Sequence, residues 1–122
     1  MSWPTDLKFF DRSEFDGPDE MDEGFLRTLD LARHYAGIPF IITSDFRTAV
    51  HNADIGGAKD SPHLYGKAVD IRVHNSRERF MIVHALLRAG FRRIGVYDHH
   101  VHCDTVSDDT HPETAMWVGT SK

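Results

Sequence analysis

Eight of the nine histidines of this 122-residue chain fall between residues 51 and 111, and two segments there carry residue types able to hold a metal ion, SPHLYGKAVD (61–70) and HHVHCD (99–104). Six residues separate His63 from Asp70, among them Gly66, where a glycine lets the chain turn. Asp70 sits in the apolar run AVDIRV, and a carboxylate is costly to bury unless a cation or hydrogen bonds compensate. In a strand, Ala68, Asp70 and Arg72 alternate with Val69, Ile71 and Val73, so one face enters the core and the other carries the acid. His100, His102 and Asp104 likewise share one face of a second strand, opposite Val101 and Cys103. A neighbouring strand can therefore deliver His102 to His63 and Asp70. Imidazole plus carboxylate is an ordinary ligand set for Zn2+, and three protein ligands leave a fourth position for water, as in catalytic sites. The plainer readings are a strand-edge Asp70 facing solvent or pairing with Arg72, and an H-x-H pair on a wetted face.

The elements that must position these residues can be read from periodicity. Residues 22–36 place Phe25, Leu26, Leu29, Ala32 and Ala36 at helical spacing, and Gly37 and Pro39 stop the helix. PFIITSDF (39–46) reads as a buried strand, and 47–62 as a long polar loop with room for one short helical turn. GKAVDIRV (66–73) is a strand. SRERFMIVHALLRAG (76–90) is a second helix, with Ser76 as N-cap, an apolar face of Phe80, Val83, Leu86 and Leu87, and an end at Gly90. RRIGVY (92–97) and HVHCDT (100–105) form a hairpin through Asp98-His99, and Met116-Trp117-Val118 pairs back on the sheet. Residues 1–20 form an irregular arm packed down by Trp3, Phe9, Phe10 and Phe15. The expected fold is one α+β domain over 1–122, with two main helices on one face of a small, mostly antiparallel sheet.

Composition excludes several classes of function. A net charge of −5 argues against a nucleic-acid partner, and the apolar runs are too short to span a membrane. The acidic N-terminus lacks the basic and apolar regions of a secretory signal, so synthesis in the cytoplasm is expected, with action at the cell wall only after release or on wall fragments. One cysteine, Cys103, allows no intramolecular disulfide and reads as a small core residue behind His102. The chain is expected to be a monomer.

The series S-D-F-R-T-x-x-H-N, G-G-A-K-x-S-x-H-L-Y-G-K-A-x-D-I, G-V-Y-x-x-x-V-H-C-D and a terminal Trp resembles the M15 metallopeptidases from about Glu14 to Trp117. Within them it is most similar to the short peptidoglycan-peptidase branch of phage endolysins and zinc D-Ala-D-Ala carboxypeptidases. The resemblance implies that His63, Asp70 and His102 are the zinc ligands. It implies further that Arg47 holds a substrate carbonyl or carboxylate near the metal, and that Ser61 and Tyr65 shape the site. Many relatives carry a catalytic acid three residues before the last zinc histidine. Here that position is His99, preceded by Asp98, and either could be the base. Asp104 is a candidate partner orienting a ligand imidazole, or a cap on local backbone. His51 could line the groove or be a plain loop histidine, His100 is similarly open, and His74, His84 and His111 read as solvent-facing or packing residues. The resulting function is zinc-dependent hydrolysis of peptidoglycan stem peptides or cross-bridges. The alternative is a non-catalytic zinc-binding module that binds a wall peptide or a protein partner.

Overall fold

The computed structural model describes residues 3–121. Helix α1 (Glu23–Ala36) starts where the Asp22 carboxylate accepts from the Phe25 N–H, and ends at Gly37, whose φ of 68° is left-handed. It buries all five apolar residues that its spacing marks. The same face buries Asp30, whose carboxylate accepts from the N–H groups of Lys8, Phe9 and Phe10 and so staples the arm to the helix. Phe10 and Phe15 enter the core and Trp3 packs edge-on against Phe15, whereas Phe9 stays 42% exposed.

Short helix α2 (Ala49–Asp54) and a 3-10 turn at Pro62–Tyr65 occupy part of the segment read as loop, capped by Thr48 and Ser61 respectively. Helix α3 (Ser76–Ala89) differs from expectation in two ways. Its N-cap is Asn75, which accepts from the Glu78 N–H, and Ser76 is the first helical residue. Its buried stripe is Ile82, Ala85 and Leu86, with Phe80 69% and Leu87 49% exposed. The true stripe follows i, i+3 and i+4 from Ile82, and Phe80 lies roughly 160° around the helix from it; its ring stacks on His84 instead.

Five strands form one sheet in the order β1-β2-β4-β3-β5: β1 (Ile42–Ser44), β2 (Ala68–Arg72), β3 (Arg93–Tyr97), β4 (His100–Asp104) and β5 (Ala115–Gly119). All pairs are antiparallel except β3 with β5. Strand β1 is shorter than the apolar run suggested, because its register shifts between Ile42 and Ser44. Val69, Ile71, Val101, Cys103 and Ile94 pack with α1 and α3 in the core, while the register sets Asp70 opposite His102 on the other face. Among the described residues, no helix is long and apolar enough to cross a membrane.

Candidate metal centre

Each member of the triad comes from a different element. His63 lies on the 3-10 turn, whose Ser61 hydroxyl accepts its N–H at 3.3 Å. Gly66 then adopts a φ of 67° to redirect the chain into β2, packed so tightly that a Cβ would collide with the Glu20 carbonyl. Asp70 and His102 are cross-strand partners. His63 Nε2 lies 3.4 Å and His102 Nδ1 3.0 Å from Asp70 Oδ1, and one ligand atom from each residue falls within 4.8 Å of the others.

The outer hydrogen bonds decide which nitrogen each imidazole presents. His63 Nδ1 is 2.8 Å from the Asp45 carbonyl, which can only accept, so Nδ1 carries the proton and the Nε2 lone pair faces Asp70. His102 does the reverse: its Nε2–H donates to Asp104 Oδ2 at 2.7 Å and Nδ1 points inward. Asp104 is fully buried; burial pushes its carboxyl up, but His102 and then Arg93, whose Nε donates to Oδ1 at 2.6 Å, outweigh it and hold it below its ordinary value. Arg93 also donates to the Pro112 carbonyl and lies over the Trp117 ring.

Electrostatics favour positive charge among the three donors. With both outer nitrogens proton-bearing, each inner nitrogen faces Asp70 with either a second proton or a cation. Burial pushes the Asp70 carboxyl up, but in the protonated state hydrogen bonds from His102 and His63 together outweigh it and hold the group well below the usual carboxylate range. Burial opposes a charge on His102, yet Asp104 and Asp70 raise its pKa above the ordinary value. A divalent zinc-type cation would take the place of those inner protons, with two neutral imidazoles of fixed tautomer and one carboxylate as its ligands.

The triad opens into a pocket of about 610 Å3 also lined by Arg47, Ser61, His100, His111 and Trp117. Arg47 Nη2 lies 3.7 Å from Asp70 Oδ2, while its other nitrogens donate to Ser44 and Asn52. Asp70 thus pairs with Arg47 rather than Arg72. Tyr65 and His51 are exposed and lie outside this pocket. Neither expected base is brought to the triad. The His99 side chain, 79% exposed, precedes the strand and turns toward a neighbouring depression. Asp98 accepts from the Ser121 N–H. His100 is brought close, with Nε2 4.0 Å from Asp70 Oδ1, Nδ1 2.7 Å from the Ser121 hydroxyl and its ring stacked on Tyr97.

Four contributors escape the sequence reading. Asp45 and Asn52 are buried supports, Arg93 anchors Asp104, and His111 lines the pocket between Asp108 and Asp60 instead of merely facing solvent. For Asp45 a signal existed: it is a carboxylate ending an apolar run, the same anomaly that marks Asp70.

A helix-backed sheet thus gathers two histidines, an aspartate and an arginine on its open face, the first three close enough to share one metal ion. The family model described as Peptidase M15 matches residues 11–104, and the chain belongs to that family of metallopeptidases. No curated protein matches the sequence.

Proposed function

We propose that this chain is a zinc peptidase that cleaves peptide bonds in bacterial peptidoglycan stem peptides or cross-bridges, in the manner of a phage or prophage endolysin. The observation that carries this reading is the convergence of His63, Asp70 and His102 donor atoms within 4.8 Å, each imidazole presenting the nitrogen its outer partner leaves free. Zinc held by these three would supply Lewis acidity and a solvent nucleophile ionised near neutral pH.

The protein's own groups account for the rest. Arg47, steadied by Ser44 and Asn52, is placed to bind the scissile carbonyl oxygen as charge develops on it, and losing such a donor typically costs about 100- to 1000-fold in rate. Ser61 holds the turn that presents His63. Asp104 keeps the His102 ring in its working tautomer. For proton transfer, geometry favours His100 over His99 and Asp98, because only His100 shares the pocket with the triad.

The test is release of new amines from purified peptidoglycan, with zinc and with a chelator, and mass spectrometry of the fragments. The expected result is chelator-sensitive cleavage that His100→Ala impairs more than His99→Ala or Asp98→Ala. Tight zinc binding without turnover on any wall substrate would instead favour the non-catalytic module.

A further inference from the structure

Beside the metal pocket lies a second depression of about 480 Å3, and Thr43 and His100 line both. Its other polar lining includes Arg72, His74 and His99, and no carboxylate. In a chain of net charge −5, the formally charged side chain of this lining is a cation, Arg72. His74 is occupied by Glu78, with Nδ1 2.8 Å from Oε1, and Asp98 comes within 3.9 Å of His99. Arg72 is exposed and makes no ion pair or side-chain hydrogen bond among the described residues. An exposed arginine fork without a carboxylate partner, next to the metal pocket, suits a carboxylate.

Its position relative to the chemistry follows from the sheet. Arg72 is two residues beyond Asp70 on β2, hence on the same face and roughly 7 Å along the strand. It is also the cross-strand partner of His100. Strand β1 runs antiparallel, with Ser44 opposite Asp70 and the Ile41 carbonyl accepting from the Arg72 N–H. Arg47 follows the Ser44 end, so Arg47 and Arg72 bracket the triad from opposite sides along the strand direction.

We infer that Arg72, at the mouth of the depression shared with His100 and His99, is a carboxylate-recognition subsite, selecting peptides that carry a free carboxylate about two residues from the bond cleaved. This rests on the wall-peptide reading above and refines it: the substrate is an acidic stem peptide held at two cationic points, one on each side of the metal. An extended peptide advances about 3.3–3.6 Å per residue, so the spacing from Asp70 to Arg72 corresponds to two peptide units.

The experiment uses the zinc-loaded protein and a synthetic stem pentapeptide, compared with versions in which each carboxylate in turn is a carboxamide. The cleaved bond is mapped by mass spectrometry. The wild-type protein is expected to lose about tenfold in kcat/KM when the carboxylate nearest two residues from that bond is amidated, and little from the others. Arg72→Gln is expected to erase that discrimination and Arg72→Lys to restore most of it. Zinc affinity of each variant, measured by chelator competition, reports whether the centre has formed, and calorimetric binding of the uncleavable reduced-bond peptide repeats the comparison without turnover. If wild type cleaves the acid and amide forms equally, or Arg72→Gln keeps the preference, the subsite is overturned while the peptidase reading stands. If wild type cleaves none of the peptides and none of the purified wall, the wall-peptide reading falls and takes the subsite with it.

Discussion

Asp104 accepts a hydrogen bond from His102 on one oxygen and from the Arg93 guanidinium on the other, so a single carboxylate links a candidate ligand ring to the pocket wall. Replacing it by Asn removes the charge that orients the ring and leaves Arg93 buried without its counter-ion. The expected result for Asp104→Asn is a loss of about 10- to 100-fold in zinc affinity, read by chelator competition. Asp45 acts on the other imidazole. Its buried carboxylate accepts from the N–H groups of Asp16, Gly17 and Phe46, and its carbonyl receives His63 Nδ1–H. Asp45→Ala orphans those donors and is expected to cost about 2–4 kcal/mol in denaturant unfolding, together with a weaker hold on zinc. Equal stability of Asp45→Ala and wild type would refute this account of the support.

Elements differ in how plainly the chain announces them. Helix α1 was legible because its apolar residues share one phase and Asp22 and Gly37 bound it. Helix α3 was legible as a helix but not as a face, since Phe80 and Leu87 are apolar residues that stay outside. Its true cap, Asn75, belongs to a cap-type pair, Asn75-Ser76, in which either residue could serve. Asp70 and His102 could be read from strand alternation, because each is a polar residue between two apolar neighbours that face the core. His99 and Asp98 could not be placed that way, because they lie in a turn where alternation has no force. The parallel pairing of β5 with β3 depends on contacts remote in sequence and left only an apolar trace at Met116–Val118. The joint between the 3-10 turn and β2 is the most brittle of these junctions. Gly66→Ala would add left-handed strain to a clash with the Glu20 carbonyl, and an expected loss of about 3 kcal/mol should appear as a lowered denaturant midpoint.

At the scale of the molecule, two loops meet across the pocket. Thr110 donates to Asp60, and His111 lies between Asp108 and Asp60, tying residues 105–114 to the segment before His63. Hydrogen bonds from His111, then from the Thr110 backbone, hold the Asp108 carboxyl down at about 2 from its ordinary 3.8. Because its folded pKa is depressed, the contribution of Asp108 is fully present above the unfolded value of 3.8 and is lost as pH falls through about 2. Amide exchange in residues 105–114 is therefore expected to accelerate, relative to the sheet, as pH drops across that window. Asp108→Asn should flatten the response, and an unchanged profile in that variant would count against the clasp.

Cys103 lies wholly buried on the core side of β4, directly after His102, and burial pushes its thiol well above the ordinary range. The fold thus carries a silent stopwatch behind the triad. A thiol reagent can start it only when β4 parts from α1 and α3, so labelling speed counts excursions of the strand that carries His102. An ion gripping that histidine from the opposite face should slow the count in proportion to how firmly it is held.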